Sequence, residues 1–305
     1  MSRASVRHYL EYFAFRVMIA LTRLLPFRLC ANVFASLTAR YSIRTRRHRR
    51  ALANLAVAFP NSCLAEREEI ARGMWRNVGR VIAEAIHIDR FLEEPQRLDL
   101  LSMRTIDELE DDKGLYIIVG MHSGNWEIGL QRTTLRGFQP AALYRTVENP
   151  MVDEYVRKSR SKTVSRGLVP LRSRPDGGLS PAQNTSRHFV KLLREGGPLG
   201  ILADIHDPDG VEVPFFGRKV WASRVPATLA YQFNGRMCIA RSIRVDGQSR
   251  FIGDAVVVDL PRTGNQRADI VTTTEIIFRQ FETWIRQYPD QWLWSQAPFV
   301  FSHQV

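Results

Sequence analysis

Apolar residues dominate the chain between residues 12 and 39, but they never run clear of charge: Arg16, Arg23 and Arg28 interrupt them and Pro26 breaks them. No stretch reaches the roughly 18 uninterrupted apolar residues of a membrane-spanning helix. Apolar positions interleaved with arginines instead predict helices lying in a membrane interface, with guanidinium groups reaching back to phosphates. A tilted, imperfect anchor is the variant of the same reading. No small-residue cleavage site follows, which argues against a removed signal peptide. Between residues 64 and 87 the pattern turns helical, with Ile70, Met74, Val78, Ile82 and Ile86 along it. Glu66, Glu68 and Glu69 sit near its start, where a helix favours negative charge.

Beyond that helix, short apolar runs alternate with amphipathic stretches. Strands are predicted at 115–121, 141–145, 168–171 and 199–203, with a strand pair at 236–244 and 251–260. Helices are predicted at 126–135, 150–161, 184–195, 223–233 and 269–288. This alternation predicts an α/β fold, a mixed central sheet flanked by helices on both faces, with an N-terminal membrane-associated helical segment. Residues 1–45 form the anchor or interfacial helices of this reading, and residues 46–305 a single α/β domain. No internal repeat or low-complexity tract interrupts it. Residues 173–183, with Pro175, Gly177, Gly178 and Pro181, have the composition of a loop, and a candidate lid.

Charge sharpens the picture. The 305 residues are 45% hydrophobic and 24% charged, ordinary for a globular protein, but 43 basic against 31 acidic residues give a formal +12. Such an excess points to a polyanionic partner. Arg40, Arg44, Arg46, Arg47, Arg49 and Arg50, with His48, follow directly on the apolar segment, which favours an anionic membrane surface. No helix-turn-helix, zinc finger or aromatic RNA-binding signature supports nucleic acid. Cys30, Cys63 and Cys238 are isolated, make no disulfide framework or metal knuckle, and are expected to be packing residues.

The candidate chemistry gathers at two strand ends. His122-Ser123-Gly124-Asn125-Trp126-Glu127 follows the apolar run 115–121, at the carboxyl end of a strand, where open α/β sheets place their ligands. Ser123, Gly124 and Asn125 can cap the following helix and leave the histidine in the turn. Residues five apart in one helix are separated by about 140°, so only a turn brings His122 over Glu127. The run 200–203 repeats the arrangement, ending in Asp204. The cluster Ile205-His206-Asp207-Pro208-Asp209-Gly210 fails as a calcium loop, because Ile205 and Phe216 fall at its first and twelfth positions. No histidine pair at helical spacing supports zinc, so no metal is expected. The helix from Pro150 carries Arg157, Lys158 and Arg160, a basic face that suits an anion or solvent.

Taken in order, these segments resemble the bacterial lipid A biosynthesis acyltransferases, the late lauroyl/myristoyl transferases. The resemblance covers most of the chain. It runs through Ala53-Asn54-Leu55, Phe59-Pro60, the His122 to Glu127 segment, Tyr144-Arg145, Asn149-Pro150 and Asp153. It continues through Gly196-Gly197 to Asp204, Val213-Pro214-Phe215-Phe216-Gly217, and residues 289–294. It implies an HX4(D/E) O-acyltransferase in which His122 is the general base and Glu127 orients it. An acceptor hydroxyl must lose its proton as it attacks a thioester, and an imidazole titrating near neutrality suits that task, at roughly 10²- to 10⁴-fold in rate. By position, Arg160 and Asp204 match further residues the family needs, and they join Asn125 and Arg145 as expected substrate contacts.

The resemblance also implies an acyl carrier protein or coenzyme A thioester as donor and no tightly bound cofactor. The acceptor would be a hydroxyl of a membrane lipid, first of all a lipid A precursor in lipopolysaccharide biosynthesis. The expected place is the bacterial inner membrane, with the catalytic domain on its cytoplasmic face. Two segments depart from the family pattern: Ile205-His206-Asp207-Pro208 after the aspartate, and Ser295-Gln296-Ala297-Pro298 after Trp294. Both bear on the acceptor, so an aminolipid, a lysophospholipid or a glycolipid is the alternative. A non-catalytic basic membrane-binding protein is the rival outside enzymes, and the intact His122, Glu127, Arg160 and Asp204 stand against it.

Overall fold

A computed structural model describes residues 5–100, 114–135, 137–173, 179–181 and 186–299. The N-terminal region folds into helices α1 (Val6–Leu24) and α2 (Phe27–Ser42), divided at Pro26. No helix among the described residues is long and apolar enough to cross a membrane. The arginine run enters α3 (Arg46–Ala58), where the Thr45 side chain accepts a hydrogen bond from the His48 amide. Helix α4 (Leu64–Ile86) follows the predicted helix closely. The Cys63 amide donates to Glu66 Oε2 at 2.7 Å at its start. Cys63 is exposed there, which corrects the expectation that all three cysteines pack; Cys30 and Cys238 are buried. Helix α5 (Asp89–Glu93) and strand β1 (Leu98–Leu100) lead toward the sheet.

The sheet holds β2 (Leu115–Gly120), β3 (Ala141–Arg145), β4 (Gly167–Ser173), β5 (Leu179–Pro181), β6 (Gly197–Leu202), β9 (Arg236–Arg244) and β10 (Phe251–Val258) beside β1. Its order is β1-β10-β9-β2-β6-β3-β4-β5. The central strands β9, β2, β6, β3 and β4 run parallel, β10 is antiparallel to β9 and parallel to β1, and β5 is antiparallel to β4, so the sheet is mixed as expected. Helices α6 (Gln131–Leu135), α7 (Pro150–Arg160), α8 (Ser186–Glu195), α9 (Val225–Gln232) and α10 (Gln266–Gln287) connect and cover it. Of the predicted loop at 173–183, residues 179–181 pair with β4; residues 174–178, 182 and 183 lie outside the described residues, so its reading as a lid does too.

Two expectations are corrected. The helix predicted at 126–135 is a 3-10 turn (Trp126–Ile128) followed by the short α6, because the Asn125 side chain accepts from the Glu127 amide and tightens the chain. Residues 206–222, where no strand was predicted, hold a hairpin, β7 (His206–Phe215) paired with β8 (Arg218–Ala222), with a register shift between His206 and Val211.

Strand β2 is buried on both faces, which is why it reads as a continuous apolar run. Ile117 and Val119 join the main core with Leu199, Ile201, Met237 and Ile239, and with Phe278, Phe281 and Ile285 of α10. Tyr116 and Ile118 face the other way, against Cys238, Leu130 and Phe138. Helices α2 and α4 meet backbone to backbone at Gly79, where an added Cβ would lie 2.3 Å from the Phe34 carbonyl oxygen. Helix α1 is tied to α7: Asn149 Nδ2 donates to the His8 carbonyl at 2.8 Å, and the Phe15 and Tyr155 rings meet edge to face with centroids 5.2 Å apart.

Candidate active site

Strand register builds the centre of the site. Strands β2 and β6 pair in parallel with Gly120 opposite Leu202, so two residues further on His122 faces Asp204. His122 Nδ1 lies 2.7 Å from Asp204 Oδ1, and the His122 amide donates to Asp204 Oδ2 at 2.8 Å. Trp292 Nε1 donates to the same Oδ2 at 2.8 Å. The Asp204 side chain is 3% exposed and that of His122 18%. Burial pushes the Asp204 carboxyl up, but the His122 charge and the three hydrogen bonds outweigh it and leave its pKa below the ordinary value. Burial likewise pulls the imidazole down, yet the Asp204 charge and hydrogen bond, with Glu127, leave the His122 pKa raised. An ionised Asp204 requires the proton on Nδ1, so the neutral imidazole carries its lone pair on Nε2. The Trp126 ring packs beside it, centroids 5.3 Å apart.

The second pair joins Glu127 to Arg160, whose Nε donates to Oε2 at 2.6 Å and whose Nη2 donates to Oε1. Arg160 closes α7, whose start is capped by Asn149, its side chain accepting from the Met151 and Val152 amides. Burial lowers the Arg160 pKa, and Glu127 more than restores it, leaving it raised. Tyr144, at the end of β3, donates to Asp153 Oδ2 at 3.1 Å. Burial and the Asp153 charge push its phenol up to about 12, so it stays protonated.

The remaining expected contacts separate. Asp204 has both oxygens engaged inside the protein, by His122 and Trp292. Asn125 is fully buried and braces the turn, its Oδ1 accepting from the Glu127 amide at 3.0 Å. Arg145 is exposed at the end of β3, and Arg157, half exposed, faces Glu154. Sequence reasoning missed the indole of Trp292 as the second donor to Asp204, although Trp292 lies in the 289–294 segment it singled out. Among the described residues, no group of three or more His, Cys, Asp or Glu side chains is placed to hold a metal ion.

A base held by a buried carboxylate at the ends of parallel strands, with a carboxylate-bound guanidinium beside it, suits acyl transfer. The family model for bacterial lipid A biosynthesis acyltransferases matches residues 2–299. The chain belongs to that family. No curated protein matches it. In this acyltransferase the match spans both the N-terminal helices and the sheet, so His122, Glu127, Arg160 and Asp204 all lie within it.

Proposed function

We propose that the protein transfers a fatty acyl chain from an acyl carrier protein or coenzyme A thioester to a hydroxyl of a lipid A precursor. The observation that carries this reading is the His122–Asp204 pair, whose contact at Nδ1 leaves the imidazole lone pair on Nε2. The acceptor hydroxyl attacks the thioester carbonyl carbon while Nε2 takes its proton, and an oxyanion forms on the carbonyl oxygen. As that oxyanion collapses, the C–S bond breaks and the thiolate takes the proton back from the imidazolium. The products are an ester and a free thiol, and no acyl-enzyme is needed. Asp204 stabilises the imidazolium and fixes its tautomer. The Arg160 guanidinium, held by Glu127, is the cation nearest to hand for the oxyanion or an acceptor phosphate.

The reaction belongs at the cytoplasmic face of the bacterial inner membrane. Val6, Leu10, Phe13, Val17, Leu21 and Leu24 form an exposed stripe at helical spacing along α1. Arg40, Arg44, Arg46, Arg47 and Arg49 are exposed nearby in sequence. An apolar face with adjacent cations suits docking into an anionic interface, and the same cations suit an acidic carrier protein.

The test is mass spectrometry of lipid A and total lipids from a strain lacking the gene, carrying wild-type protein or His122→Ala at matched expression. The reading requires one added acyl chain on lipid A with wild type alone. A gain confined to another lipid class keeps the chemistry and replaces the acceptor. Identical profiles from both proteins remove His122 from catalysis.

A further inference from the structure

Beneath the catalytic turn lies a buried ion pair that the chemistry above does not use. Glu84 of α4 and Arg244 at the end of β9 have side chains 0% and 3% exposed. Arg244 Nη1 donates to Glu84 Oε1 at 2.5 Å and Nη2 to Oε2 at 2.9 Å. Ser249 Oγ adds a third hydrogen bond to Oε1 at 2.6 Å. Burying two charges carries a desolvation penalty of several kcal/mol per ion, and apolar residues of similar volume often stabilise a fold as well or better. The use of this pair therefore lies in what it holds.

It holds the two residues between His122 and Glu127 that set the turn. Asn125 Nδ2 donates to Glu84 Oε2 at 2.8 Å, and its Oδ1 accepts from the Glu127 amide. Arg244 Nε donates to Asn77 Oδ1 at 2.7 Å, and Asn77 Nδ2 donates to the Gly124 carbonyl at 2.8 Å. The Gln291 side chain closes on the Arg244 backbone, accepting from its amide at 2.8 Å and donating to its carbonyl at 3.0 Å. The Gly124 amide in turn donates to the Gln291 carbonyl at 3.2 Å. One buried pair thus reaches both sides of the turn.

We propose that the Glu84–Arg244 pair is the positioning device of the site, fixing the Gly124-Asn125 turn so that His122 meets Asp204 and Glu127 meets Arg160. The inference rests on the acyltransferase reading for one of its two readouts. The pair touches no reacting atom and acts through the turn.

Two full-length variants test it. Glu84→Leu/Arg244→Met replaces the pair by apolar groups, and Asn125→Leu cuts the side-chain link to the turn. Each is compared with wild type by thermal melting, by kcat and KM for transfer from acyl carrier protein thioester to a lipid A precursor in vesicles, and by the NMR titration of the His122 imidazole. The expected result is melting within about 5 °C of wild type, kcat lower by about 100-fold with KM within about twofold, and a His122 midpoint displaced downward. A folded variant with kcat within about threefold of wild type and an unmoved midpoint overturns the proposal. If the double variant unfolds, Asn125→Leu decides by the same figures. If wild type transfers no acyl chain, the acyltransferase reading falls, and the His122 titration alone decides whether the pair positions the turn.

Discussion

His122 and Asp204 hold each other's charge, and the consequence is a defined response to pH. Asp204→Asn keeps the shape and removes the charge. Burial then dominates at the imidazole, so the His122 pKa falls and the acid limb of the rate profile moves to lower pH. The plateau kcat is expected to drop on the order of 10³-fold or more, because nothing fixes the tautomer. Steady-state rates across roughly pH 5 to 9 read both effects, and an acid limb that moves up rejects the assignment. The same pair links folding to pH. The raised His122 pKa gives stability that is full below its ordinary pKa of about 6.5 and lost as pH rises through the folded value. The lowered Asp204 pKa gives stability present above about 3.9 and lost as pH falls through the folded value. The variant should therefore melt furthest below wild type between about pH 4 and 6.5.

At the scale of elements, the site is a set of strand ends and the turns that leave them. Gly124 sits at φ +58°, and a Cβ there would lie 1.8 Å from the Ser242 carbonyl oxygen. Gly217, at φ +70° in the β7–β8 turn, has nothing within 4 Å of such a Cβ. Gly217→Ala should cost only the left-handed backbone penalty of about 1 kcal/mol, and Gly124→Ala about 3 kcal/mol or more, because backbone must move as well. Urea unfolding of both variants checks this, and equal losses would show that the turn yields freely. The two strands were legible because each is an apolar run ending in a polar group, and their parallel pairing carries His122 to Asp204. The partner of Glu127 was not legible, because Arg160 stands 33 residues further on and only the fold brings its guanidinium to the carboxylate. The hairpin stayed hidden because Pro208, Gly210 and Pro214 lie within β7, residues that ordinarily end strands.

Across the whole molecule, the apolar stripe of α1 and the arginines leading into α3 define how the protein would meet a lipid surface. Arg46→Gln/Arg47→Gln should lose about 2 kcal/mol of affinity for anionic vesicles, about thirtyfold, at roughly 1 kcal/mol per arginine. Vesicle sedimentation measures it, with transfer to a detergent-dispersed acceptor as the comparison; an equal loss there would place the arginines in the site instead. At this scale the sequence was least legible. Glu84 and Arg244 stand 160 residues apart, one within an amphipathic helix and one at a strand end, and only the folded topology brings them together. The indole that secures Asp204 comes from 88 residues further along the chain, and Ser123 bridges to that same Trp292. The order of synthesis therefore matters: a nascent chain carries His122 and Asp204 well before the segment that clamps them. At about 5 to 20 residues per second, several seconds separate the making of Asp204 from that of Trp292. During that interval the growing polypeptide holds the parts of a catalyst without its finished geometry, so competence waits for Trp292.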